Sequence, residues 1–245
     1  MSEEKEKKDP PEDFQVKVLH IIPNAFGYFK DIKDTAFGLV ENLNGIGIKA
    51  DAFTLEYGTS AKVMKKQEKE VQKVAPTRKY LGMFGLKEMI NNFGDYHIIH
   101  LHCPLLGGSR EICRFKKRYP ILPLVVTYYR PVKTPDLFSL FVKAYNAYYL
   151  PKIFGLADAV TSLWSFEKPN FWWSKKWRKK ENARPTVALV EHEEFVHLTQ
   201  TQERVELVEQ KLTLSAVQRL LKVYSECLAE KAEILRNKDK NQNQQ

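Results

Sequence analysis

The stretch Asp95-Tyr-His-Ile-Ile-His-Leu-His-Cys-Pro104, with Leu105-Leu-Gly-Gly108 behind it and Leu122-Pro-Leu-Val-Val-Thr-Tyr-Tyr-Arg130 beyond, constrains this chain more than any other feature. It reads as strand, glycine turn, helix, strand. Ile98-Ile99 and Leu124-Val125-Val126 are apolar runs without polar alternation, the pattern of parallel strands covered by helices on both faces. Ligands of such sheets bind in the crevice outside the carboxyl ends of the strands. His100, His102, Thr127 and Tyr129 therefore fall where chemistry is expected.

Across 245 residues, 43% hydrophobic and 12% aromatic content is enough to bury one substantial core or two small ones, and one is expected. No apolar run approaches the ~20 residues needed to span a bilayer. The first residues, Met1-Ser-Glu-Glu-Lys-Glu-Lys-Lys, are charged where a signal peptide would be apolar. The expectation is a soluble, cytoplasmic chain, peripheral at a membrane where it meets one. Cys103, Cys113 and Cys227 are odd in number and lack CxxC spacing, so they read as buried or incidental thiols. The net charge of +9 points to anionic partners: nucleic acid, anionic lipid or phosphorylated substrates.

Residues 1–13 are a charged, proline-ended leader that reads as a disordered tail. Residues 14–168 carry the strand and helix signals. Val16 to Pro23 is a first strand, Thr35 to Leu43 a helix closed at Gly45-Ile-Gly47, and Ile48 to Leu55 a second strand. Ala61 to Lys79 reads as a solvated helix and connector, and Leu86 to Phe93 as a short helix. Gly107 to Arg118 is helical, Asp136 to Leu150 is an aromatic helix, and Leu156 to Leu163 is another buried strand. Residues 169–204 read as a basic, aromatic segment and connector, 205–236 as a helical region and 237–245 as a second disordered tail. In the helical region Leu214, Val217, Leu221, Tyr224 and Leu228 follow helical spacing, with Thr213 as an N-cap candidate.

The order of Val16-Lys-Val-Leu-His-Ile-Ile-Pro23, a glycine loop, Gly45-Ile-Gly47, Tyr96-His-Ile-Ile-His-Leu-His102, Val125-Val-Thr127 and Ala157-Asp-Ala-Val-Thr-Ser162 resembles the N-terminal half of family 4 glycosyltransferases of the GT-B fold. The resemblance covers roughly Phe14 to Lys168. It implies a single Rossmann-like α/β domain with a mostly parallel sheet plus a C-terminal helix, binding an acceptor at the strand ends. In that family a second domain binds the nucleotide sugar, and no metal or other cofactor is used.

Where the family has a paired-glycine loop, Gly27 stands alone between Phe26 and Tyr28. Where it has Thr-x-His-Gly, this chain has Thr127-Tyr-Tyr-Arg130, so Tyr129 takes the histidine position and Arg130 the glycine position. A phenol with a pKa near ~10 does not reproduce imidazole chemistry near neutral pH, whereas Arg130 suits a phosphate. The family's donor-binding glutamate pair is not matched after Lys168. The resemblance thus implies an acceptor-binding chain, with Gly27, His20, His102, Tyr129 and Arg130 lining the site, that transfers a sugar only in complex with a donor-binding partner. Its acceptor would be lipid-linked or a saccharide. The competing reading is a non-catalytic module of the same fold that binds a membrane surface or a protein.

His100 and His102 lie two apart on a strand and share a face that could seed a metal site, while His97 points the other way; the expectation is no metal. Phe171, Trp172, Trp173, Lys175, Lys176, Trp177 and Arg178 interleave rings with cations. That pattern serves a lipid headgroup boundary, a loop packed on the domain or, less favoured, base stacking with phosphate contacts.

Overall fold

The computed structural model describes residues 15–23, 30–54, 94–105, 108–129, 138–164, 186–190 and 205–242. Within them the apolar runs form six strands: β1 (Lys17–Ile22), β2 (Lys49–Thr54), β3 (Ile98–Cys103), β4 (Leu124–Tyr128), β5 (Ala159–Trp164) and β6 (Thr186–Val190). The helices among the described residues are α1 (Lys30–Gly45), α2 (Ser109–Arg118), α3 (Phe138–Leu156) and α4 (Val205–Gln242). Every strand pair is parallel, in the order β2-β1-β3-β4-β5-β6. This is the Rossmann-like α/β sheet that the apolar runs predict. Its order reverses between β1 and β3, which is the switch point where such sheets open a crevice.

Alternation along the strands divides the core into two layers. Leu19, Ile21, Ile99, Leu101, Val126 and Tyr128 pack with Ile112 and Phe115 of α2 and with Val142, Ile153 and Phe154 of α3. Val18, Ile22, Ile98 and Val125 pack instead with Leu39 and Leu43 of α1 and with Val217, Leu220 and Tyr224 of α4.

The end of α1 is set by backbone chemistry. Gly47 has φ of 88°, the left-handed region that glycine enters without steric cost. That turn returns the Ile48 N–H to the Leu43 carbonyl at 3.1 Å and leads straight into β2. The Asn44 amide closes the corner by accepting from the Ala50 N–H and donating to the Ala50 carbonyl.

Three elements depart from the sequence reading. Helix α3 runs six residues past Leu150, through Pro151, to Leu156. A proline inside a helix costs about 3 kcal/mol. Ile153 and Phe154 lie beyond it and are buried, and each such side chain contributes about 1.5 to 3 kcal/mol, which offsets that cost. Thr213 does not cap α4, because the helix begins eight residues earlier at Val205 and continues to Gln242. Its buried face is centred on Ala216, Val217, Leu220, Val223, Tyr224 and Cys227, with Leu221 and Leu228 only flanking and Leu214 exposed. The third departure is β6, a strand lying within the 169–204 connector and paired with β5.

At the amino edge of the sheet, Asp158 ties the layers together. Its carboxylate accepts from Lys116 of α2, from Lys231 of α4 and from the Leu124 N–H. Burial pushes its pKa up, but the two lysines and the amide outweigh burial and hold it below the usual carboxylate range.

Candidate functional site

His20 on β1 and His100 and His102 on β3 face α4, where apolar side chains would be expected, and all three are fully buried. His20 and His100 are in register, as are His102 with Thr127 and Thr127 with Thr161. A polar seam therefore crosses β1, β3, β4 and β5 beneath Tyr224. Burying an imidazole without hydrogen-bond partners costs several kcal/mol, so the arrangement depends on how its nitrogens are satisfied.

The partners form one chain. His100 Nε2 meets Thr127 Oγ1 at 2.7 Å and His100 Nδ1 meets the Tyr224 hydroxyl at 2.6 Å. Tyr224 also reaches His20 Nε2 at 3.5 Å, His20 Nδ1 meets His102 Nε2 at 2.9 Å, and His102 Nδ1 meets the Tyr129 hydroxyl at 2.8 Å. Thr127 Oγ1 and Thr161 Oγ1 are 2.6 Å apart, and Thr161 Oγ1 donates to the Val126 carbonyl at 3.4 Å.

One direction of donation follows from that carbonyl, which can only accept. With Thr161 donating to Val126, Thr127 donates to Thr161 and accepts from His100 Nε2–H. His100 Nδ1 then accepts from Tyr224, whose oxygen accepts from His20 Nε2–H. His20 Nδ1 accepts from His102 Nε2–H, and His102 Nδ1 accepts from Tyr129. Three neutral imidazoles, all protonated at Nε2, satisfy every link. Burial drives the same outcome: it lowers His20 to about 3, and it lowers His100 and His102 well below the ordinary range, the neighbouring imidazoles adding to the effect on both. Burial raises the Tyr129 and Tyr224 phenols, so both stay protonated.

The three histidines could offer a metal nitrogens within 4.8 Å of one another. His100 and His102 stack at 4.4 Å with planes 25° apart, so their in-plane lone pairs run side by side, and each nitrogen already has a partner. As arranged, the cluster is a hydrogen-bond chain.

The carboxyl edge of the sheet holds a different group. Helix α2 starts after β3 with Gly108 at its N-cap and no side-chain cap hydrogen bond. Glu111 sits in the first turn and is 9% exposed, and its Oε2 is, among the described residues, a buried side-chain oxygen without a hydrogen-bond partner. Side chains in a helix lean toward its N-terminus, which here is the carboxyl edge of the sheet. Glu111 escaped the sequence reading. Its signal was an acidic residue three positions into a helix that follows a strand and two glycines.

Of the residues singled out from sequence, the structure brings His20, His102 and Tyr129 together as members of the buried chain. Gly27, Arg130 and the aromatic-basic stretch 171–178 lie outside the described residues. His97, placed on the opposite face of β3, accepts at Nδ1 from the Lys17 N–H at 2.9 Å.

No protein-family model matches the chain, and no curated protein is similar to it in sequence. Solved structures similar to it include an alpha-glucosyltransferase in complex with UDP-glucose and DNA containing an abasic site, at 9% identity and a TM-score of 0.49, covering 78% of this chain and 46% of that one. An alpha-glucosyltransferase in complex with UDP is similar at 10% identity and a TM-score of 0.48, covering 76% and 47%. MurG of Acinetobacter baumannii is similar at 11% identity and a TM-score of 0.38, covering 78% and 50%. The chain thus spans about half the length of the solved structures it matches.

Proposed function

We propose that this chain is a glycosyltransferase-like, acceptor-binding unit of the GT-B type that takes part in sugar transfer together with a donor-binding partner. The ordered segments from Val16 to Ser162 support the family 4 reading, and the reversal of strand order between β1 and β3 supplies a crevice of the kind an acceptor would occupy.

The observation that carries the acceptor role is Glu111. A buried carboxyl oxygen without a partner destabilises the fold unless a ligand completes it, at about 1 to 3 kcal/mol. A sugar hydroxyl donating to Oε2 would do so, which favours a hydroxyl-rich saccharide end over a bare phosphate at this position. Arg130, next in sequence to Tyr129, is assigned to the phosphate of a lipid-linked acceptor or of the donor. Tyr129 itself is committed to His102 and stays neutral, so it supplies positioning rather than proton abstraction.

Calorimetric titration of simple saccharides and of polyprenyl phosphate sugars into the wild type, Glu111→Gln and Arg130→Glu tests the reading. Loss of saccharide affinity in Glu111→Gln and of phosphate-bearing ligands in Arg130→Glu is expected. Unchanged affinity in both variants would overturn it.

A further inference from the structure

Helices α2 and α3 lie side by side on one face of the sheet, and what they leave exposed is basic and apolar. On α2 the exposed residues are Arg110, Arg114, Lys117 and Arg118. On α3, Leu140 is 73% exposed and Tyr148 57% exposed, with Ala144 and Ala147 exposed between them. Positions 140, 144, 147 and 148 fall on one helical stripe. Lys143 and Lys152 flank it, and the Lys152 ammonium sits 3.4 Å from the centre of the Tyr148 ring.

The two faces of the sheet differ in charge. The sequence of α3 contains no acidic residue, and the acid in α2, Glu111, is buried. On the opposite face the charges are mixed, α1 and α4 exposing Asp34, Glu41, Glu226, Glu233 and Asp239 alongside Lys222, Arg236, Lys238 and Lys240. Helices α2 and α3 pack against each other, so their exposed residues share one face of the sheet. Arg110 and Leu140 each fall in the first turns of their helices, at the carboxyl edge of the sheet.

We infer that the α2–α3 face docks on an anionic lipid bilayer, the six cations meeting headgroups while Leu140 and Tyr148 enter the interface. Each basic residue near an anionic surface contributes about 1 kcal/mol, and apolar side chains add an interaction that salt does not screen. Nucleic acid would use the cations but would gain nothing from Leu140, Ala144 and Ala147, which is why lipid is the occupant proposed. The inference does not depend on the acceptor assignment.

The full chain is sedimented with vesicles of phosphatidylcholine alone and with vesicles containing phosphatidylglycerol, at low and physiological salt. Binding to the anionic vesicles only is expected. Arg110→Glu with Arg114→Glu should weaken it at least tenfold at low salt, and Leu140→Ser with Tyr148→Ser should remove the part that survives physiological salt. Lys222→Glu with Lys238→Glu, on α4, should leave binding unchanged, and thermal melts check that all variants fold. Equal binding to both vesicle types, or an α4 pair as damaging as the α2 pair, would overturn the inference. So would duplex DNA binding more tightly than vesicles with no effect of the Leu140 and Tyr148 changes, which would assign the face to nucleic acid.

Discussion

His20 Nδ1 stands 2.9 Å from His102 Nε2, so two imidazoles on adjacent strands share one proton, and protonating His20 at Nδ1 would break the link. Donation from Thr161 to the Val126 carbonyl is consistent with one direction of donation through the chain, which gives each ring the Nε2–H tautomer. The first prediction is spectroscopic: nitrogen chemical shifts should report three neutral Nε2–H imidazoles at pH 7. A charged ring, or an Nδ1–H tautomer for His100, would break the assignment.

The same burial makes stability depend on pH. The folded-state values of the three histidines lie below the unfolded value near 6.5, so the unfolded chain binds more protons as pH falls. Their contribution is present above about pH 6.5 and is lost on acidification through the window down to their folded values, about 3 for His20. Three groups at about 1.4 kcal/mol per pH unit each amount to roughly 4 kcal/mol per unit, a large share of a typical domain's 5 to 15. Urea denaturation as a function of pH should show stability falling steeply between pH 6.5 and 5. A flat profile would contradict the neutral, buried chain.

Tyr224 joins α4 to the seam, and Tyr224→Phe leaves His100 Nδ1 and His20 Nε2 without that partner. A loss of about 1 to 3 kcal/mol is expected by chemical denaturation. Asp158→Ala should cost more, about 3 to 5 kcal/mol, because it strands the buried Lys116 beside the Lys231 ammonium.

Gly47→Ala isolates backbone strain. No atom lies within 4 Å of an added Cβ, so only the positive φ opposes the change. About 1 kcal/mol of destabilisation is expected from thermal melts.

Much of this fold is legible in local sequence, because parallel strands are short apolar runs and α1 ends at a glycine that only one backbone conformation explains. The shared face of His100 and His102 also follows from strand periodicity alone. What completes that face is not local: Tyr224 is 124 residues from His100, and His20 meets His102 across 82. Sequence reading accordingly placed His20, His102 and Tyr129 around a ligand without seeing that they bind one another. Thr186-Val-Ala-Leu-Val190 went unread as a strand because a threonine and four apolar residues behind a basic, aromatic stretch carry no period of their own. Glu111 was hidden for a different reason, since an acid in a first helical turn is ordinary until its burial and missing partner are seen.

Glu111 also allows stability and binding to be separated. Glu111→Met removes the oxygen that lacks a partner, at the loss of a favourable charge at the start of α2. A net gain of about 1 kcal/mol in stability is expected, together with loss of saccharide binding. A variant that is destabilised and still binds would remove Glu111 from the site.

The acceptor-binding account is tested most directly by turnover. The purified chain is incubated with UDP- and GDP-sugars, with and without lipid-phosphate and saccharide acceptors, and nucleotide release is followed. The account predicts acceptor binding without multiple-turnover release by this chain alone. Sustained release of UDP or GDP over many turnovers would contradict it.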